Sequence, residues 1–178
     1  MQIPNESGMT FGDFCKENCF WVEKSKLYNK SLKHLGFKSV EFVLYQEDAS
    51  NNDNKLLFVE AKTSLRIEDT ANKFSAEITN ISQKFMDSLQ LICGAWHGGR
   101  RDSVPLPANF SKFYDAGKRI VFLLVVKTIN KDDLLIVKDT ISRQLLKERR
   151  LWQFDVWVLD EELAVKEELI LKCSNGLT

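Results

Sequence analysis

The sequence predicts an α/β domain with a mixed central β-sheet flanked by helices. Three observations carry that expectation. Two apolar segments, residues 40–45 and 56–61 (LLFVEA), are joined by the polar stretch 47–54 (EDASNNDN). Asparagine and aspartate suit the backbone geometry of a tight turn, so these segments read as a β-hairpin. Behind them Ile67, Ala71, Phe74, Ile78, Ile81, Phe85, Leu89 and Ile92 recur every three or four positions. That is the pattern of an amphipathic helix of about six or seven turns. Residues 120–126 (IVFLLVV) form an unbroken apolar run, as expected of a strand buried on both faces.

The other elements follow in order. Phe11, Phe14 and Cys15 suggest a short helix. Residues 19–22 read equally as a strand or as a continuation of that helix. Residues 26–35 look helical and polar, and Gly36 is placed to stop them. Gly94 is expected to end the long helix, and a loop containing Gly98, Gly99, Pro105 and Pro107 runs to about Lys118. After the buried strand, Asp132 or Asp133 can cap a helix carrying Leu134, Val137, Ile141 and Leu145. Phe154, Val156 and Val158 alternate with Asp155, Trp157 and Leu159, as on a last strand. Residues 161–171 form a short final helix or tail. All 178 residues are expected to make one domain, since two full domains would be cramped.

Composition narrows the functional classes. Hydrophobic residues are 44% and charged residues 28%, which is ordinary for a globular protein and argues against disorder. The 25 basic side chains balance the 25 acidic ones, so any contact with nucleic acid must rest on local asymmetry. Cys15, Cys19, Cys93 and Cys173 are too scattered for a disulfide framework, and no second cysteine pair completes a zinc site. His34 and His97 stand far apart. There is no glycine-rich phosphate loop and no nucleophile elbow. No run reaches membrane-spanning length, and the start lacks the pattern of a signal peptide. A reducing, cytoplasmic compartment with no membrane association is expected.

The chemistry concentrates at the hairpin. A turn centred between Ser50 and Asn51 places Glu41 opposite Glu60. Facing residues on antiparallel strands have β-carbons about 5 Å apart and point to one side. Lys62, two residues beyond Glu60, shares that side. Two adjacent carboxylates repel, and burial raises their pKa unless positive charge intervenes. A hard divalent cation supplies it, and magnesium commonly takes one or two carboxylates, waters and substrate phosphates. The lysine can then orient or deprotonate water or stabilise charge on a phosphate. From spacing alone, a structural ion pair between Lys62 and either glutamate is an equal reading.

A strand, a polar turn, an apolar strand ending in Glu60-Ala61-Lys62, a long helix and a buried strand together resemble the PD-(D/E)XK nuclease superfamily, with its restriction-endonuclease-like α/β sandwich. The second motif of that superfamily matches Glu60, Ala61 and Lys62. Its first metal-binding acid would be Glu41, here a glutamate without a preceding proline. The resemblance implies a divalent-metal-dependent nuclease hydrolysing phosphodiester bonds, with DNA as the substrate class. It gives catalytic roles to Lys62, Glu60 and Glu41, and magnesium or manganese as cofactor. Glu41 and Glu60 would be metal ligands. An acid from the N-terminal region is Glu23, with Glu17 behind it. The helix after the catalytic strand would lend a polar residue, Gln83 or Lys84. The rival is a non-catalytic domain of the same fold that binds protein or nucleic acid. No separate recognition domain is evident, so specificity would come from a partner protein or a second copy.

Basic residues cluster at Arg100, Arg101, Lys112, Lys118 and Arg119, and again at Lys138, Arg143, Lys147, Arg149 and Arg150. Acids gather at Asp155, Asp160, Glu161, Glu162, Glu167 and Glu168. The loop from Trp96 to Arg101 mixes an aromatic ring, glycines and arginines, which suits backbone contact and stacking. Arg100 and Arg101 are therefore candidate nucleic-acid contacts, with Lys84 a third that the resemblance implies, and the 94–112 loop is expected to border the site or the nucleic-acid path. Replacing Arg100 and Arg101 with alanine is expected to weaken DNA binding and to flatten its dependence on salt. Titrations at several salt concentrations check this; unchanged affinity and slope would remove the loop from the substrate path.

Overall fold

The computed structural model describes residues 5–26, 28–47, 54–67, 71–97, 106–113 and 119–171. Its elements are β1 (Asn5–Glu6), β2 (Met9–Thr10), β3 (Cys19–Trp21), β4 (Phe42–Gln46), β5 (Lys55–Ser64), α1 (Ala71–Trp96), β6 (Arg119–Thr128), α2 (Lys131–Gln144), α3 (Leu146–Trp152), β7 (Asp155–Asp160) and α4 (Glu161–Lys166). Strands β3 to β7 form one five-stranded sheet in chain order. The first two pairings are antiparallel and the last two parallel. The expected α/β architecture with a mixed sheet is therefore present.

Alternation along the strands divides the interior in two. Val43, Tyr45, Leu56, Phe58, Phe122, Leu124 and Val156 face α1 and α2, where they meet Ile78, Ile81, Phe85, Val137 and Ile141. Phe122 stacks on Phe85, with centroids 4.8 Å apart, and its ring edge meets Phe58. Phe42, Leu44, Leu57, Val59, Ala61 and Leu123 face the other way, against Met9, Phe11, Ala164 and Ile170. Both helical crossovers thus cover one face. Short segments from before β3 and after β7 cover the second.

Several local expectations are corrected. Residues 11–15 form no helix. Phe11 bridges to Ile170, the Gly12 amide donates to the Leu169 carbonyl, and Phe14 packs on Phe42. Residues 19–22 resolve in favour of a strand. In place of a regular helix over 26–35 there is a π-helical turn, Tyr28–Leu32, running into a 3-10 turn, Lys33–Leu35. The Asn29 amide donates to the carbonyls of Glu23 and Ser25, and the Tyr28 amide donates to Ser25 Oγ. These side-chain bonds compete with the regular helical ladder. Gly36 does stop the segment, at φ 77°. At α2 the cap position is Asn130, not Asp132 or Asp133, which instead occupy the first turn. There their charge favours the helix N-terminus. A small hairpin, β1–β2, was not anticipated; Ser7 and Gly8, at φ 52° and 72°, form its turn.

Gly94 does not end α1, which continues to Trp96. Apolar contacts on the preceding turns outweigh the preference of one glycine for irregular backbone. A Cβ at Gly94 would meet nothing within 4 Å. Gly94→Ala is therefore expected to stabilise the protein by about 0.5–1 kcal/mol, read as a higher urea midpoint with an unchanged slope. A loss of stability would mean that this last turn is strained.

Candidate active site

The β4–β5 ladder carries the register expected from the turn, with Phe42 opposite Val59 and Gln46 opposite Lys55. The ladder ends at Phe42, so a Glu41–Glu60 pair is not part of it, although the two carboxyls act on each other electrostatically. Glu41 itself lies in a bend just before β4, and its amide donates to the Val59 carbonyl at 3.0 Å. The bend is held from α1. Asp87 accepts from the Lys38 amide at 2.8 Å, and Ser88 Oγ accepts from the Val40 amide at 3.0 Å. A buried acid and a buried serine on the helix thus fix the segment that presents Glu41.

Glu60 projects from β5 toward α1 and has no solvent exposure. Lys84, on α1, reaches both of its oxygens, at 2.7 and 3.0 Å. Lys62 stands 3.9 Å from the same carboxylate and 3.7 Å from Glu77, and it is 24% exposed. Glu77 and Lys84 lie two turns apart on α1 and meet Lys62 and Glu60 respectively, so the charges alternate across the helix–strand seam. Lys84, expected only as a polar residue well along the helix and a nucleic-acid contact, is the closest partner of Glu60 among the described residues. Glu77 was not anticipated. Both flank the apolar row Ile78, Ile81 and Phe85, and that position was the available signal: charges beside the buried stripe face the sheet edge-on.

Burial, above all, raises the pKa of the Glu60 carboxyl, and it outweighs the lowering effect of Lys84 and Lys62. Lys84 moves up despite its burial because the Glu60 charge holds its proton. The Glu41 carboxyl is pushed up to about 8, by burial first and then by the charges of Glu60 and Glu23. Among the described residues it finds no hydrogen-bond or ion-pair partner. The exposed Glu23 acts on Glu41, Glu60 and Lys84. Glu17 instead accepts from the Cys15 thiol.

The fit to a hard cation can be tested on this donor set. Glu41 and Glu60 offer oxygen, one of them without a partner, beside the exposed carboxylate of Glu23. In kind these suit magnesium or manganese. In the present arrangement no three His, Cys, Asp or Glu side chains among the described residues are gathered closely enough to enclose an ion.

Arg100 and Arg101 lie outside the described residues. The described flanks of their loop stand away from the site. The 3-10 helix Ala108–Phe113 is tied to the opposite end of the sheet by Asn109, which bonds Glu17 and Asn18, and by Lys112, 3.6 Å from Glu47. Arg119 pairs with Asp155 at 2.6 Å, which neutralises part of the first basic stretch. The second stretch stands exposed on α2 and α3. Among the described residues no helix is long and apolar enough to cross a membrane.

No protein-family model matches the chain, and no curated protein or solved structure is significantly similar to it.

The geometry has a thermodynamic consequence. An ordinary carboxyl releases its proton near 4.5, whereas folded Glu41 keeps it to about 8. Between these values the folded state binds more protons than the unfolded one, so this group's contribution to stability falls as pH rises through the window and levels off above it. Glu41→Gln is expected to flatten the fall in melting temperature between pH 5 and 8.5, and to be the more stable protein at pH 8.5 in chelator. Parallel slopes for the two proteins in thermal melts would show that Glu41 is solvated and ordinary.

Proposed function

We propose that this chain is a divalent-metal-dependent nuclease of the restriction-endonuclease-like, PD-(D/E)XK type, hydrolysing phosphodiester bonds in DNA. The observation that carries the reading is a largely buried Glu41 carboxyl, without a partner among the described residues, coupled to the fully buried Glu60, with Lys62 beside Glu60. A structural ion pair needs one acid and one base. It gives no reason to desolvate a second acid beside the first, which is costly without compensating charge. The site also lies toward the carboxyl end of β5, a parallel partner of β6, where open α/β sheets commonly bind ligands.

Each residue has a part. Glu41 and Glu60 would hold the cation, and Glu23 adds an exposed carboxylate next to them. A bound magnesium or manganese ion supplies positive charge at the phosphate and lowers the pKa of the attacking water. Lys62, partly exposed, can direct its ammonium group to the phosphate or to that water. The alternating seam with Glu77 keeps its stem against α1.

A second reading is favoured by one observation. Lys84 contacts both oxygens of Glu60, so the buried charge already has a cation. This suits a non-catalytic module of the same fold, binding protein or nucleic acid through the exposed basic surface of α2 and α3.

One experiment separates the two. Wild type is expected to bind manganese by calorimetry and to cleave DNA only with manganese or magnesium. Glu60→Ala should lose both properties. Lys62→Ala should keep the metal and cleave about 10²–10³-fold more slowly, as expected when a contact worth about 3–4 kcal/mol in the transition state is lost. Wild type that binds no manganese and cleaves neither duplex nor single-stranded DNA or RNA would establish the non-catalytic reading.

A further inference from the structure

We propose that Lys84 is a positioning residue that stands in for the cation on Glu60, and that binding of a divalent cation requires Lys84 to release at least one of its two contacts. This rests on the metal-dependent reading above and concerns how that site is kept before the metal arrives.

Three observations support it. First, the contact is two-sided: the ammonium nitrogen lies 2.7 Å from one oxygen of Glu60 and 3.0 Å from the other. A carboxylate with no exposure has no further open side to offer. Lys62, at 3.9 Å, is beyond hydrogen-bond range of Glu60. The lysine two residues away in sequence therefore contributes less to neutralising it than Lys84 does.

Second, the seam is short of positive charge. Glu23, Glu41, Glu60 and Glu77 interact with Lys62 and Lys84. With all six groups ionised, a divalent cation would close the difference. Lys84 alone meets the need of Glu60 and leaves Glu41 without a partner. The resting arrangement is thus stable enough to fold and still lacks charge where the cation would go.

Third, the exchange needs only a side chain to move. The helix carrying Lys84 is fastened to the 38–40 segment through Asp87 and Ser88. The lysine has a flexible four-carbon stem, is 18% exposed, and has the Glu41 and Glu23 charges acting on it. It can pass from Glu60 to these neighbours without displacing α1. A short charge-assisted bond that must be given up acts as a competitor, and removing the competitor should tighten binding about tenfold or more.

The test is manganese calorimetry at pH 8 on wild type and Lys84→Gln, which keeps a donor and removes the charge. Lys84→Gln is expected to melt lower in chelator, to bind manganese about tenfold more tightly and to gain more melting temperature from it than wild type does. Folded Lys84→Gln that binds manganese equally or more weakly would overturn the proposal while leaving the metal-dependent reading in place. Absence of binding to either protein would remove both. A measurement on wild type keeps the test open if the variant does not fold: magnesium added to ¹⁵N-labelled protein should shift or broaden the protected Lys84 ammonium resonance. A resonance unmoved at saturating magnesium would also overturn the proposal.

Discussion

The bond between Glu60 and Lys84 is the contact on which the site depends. Glu60 sits on the middle strand of the sheet, paired on both sides and roofed by a helix, so water cannot solvate it. Taking a carboxylate out of water is costly unless a charge or several hydrogen bonds replace the solvent. Lys84 supplies that charge from α1. In doing so it ties the sheet to the helix at the same height where Asp87 and Ser88 fasten the segment leading into β4. One face of α1 therefore has two tasks. Ile78, Ile81, Phe85 and Leu89 bury apolar area against the strands, and the polar positions beside them set the geometry of the acids.

The parts of this arrangement that repeat along the chain were legible in the sequence. The polar turn set the hairpin register from Phe42 to Gln46, because side-chain direction in a strand has a period of two, but the ladder stops short of Glu41. The helix of α1 and the buried strand β6 were legible from their apolar spacing. Glu23 was preferred to Glu17 because Trp21 and Val22 anchor it; it stands exposed, and of the two it is the one whose charge acts on Glu41 and Glu60.

What could not be read depends on side chains meeting across long sequence separations. Lys84 lies 24 residues from Glu60, and no local pattern says that a lysine beside an apolar stripe will turn inward rather than out to water. The irregular turns at 28–35 reflect Asn29 and Ser25 capturing backbone groups, a competition that residue propensities do not resolve. Gly94 misled in the opposite direction. A glycine usually marks a helix end, yet here the packing of the preceding turns carried the helix past it.

The second face of the sheet has its own consequence. Phe11 pairs with Ile170, and the Leu171 amide donates to the Thr10 carbonyl, so residues early and late in the chain close over Phe42, Leu44, Leu57 and Val59 together. During synthesis those strands emerge long before residues 164–171 do. A nascent chain must therefore carry an uncovered greasy surface until α4 and the segment after it are made. Ribosome-bound intermediates of this protein would be natural clients for chaperones, whatever the stability of the finished fold.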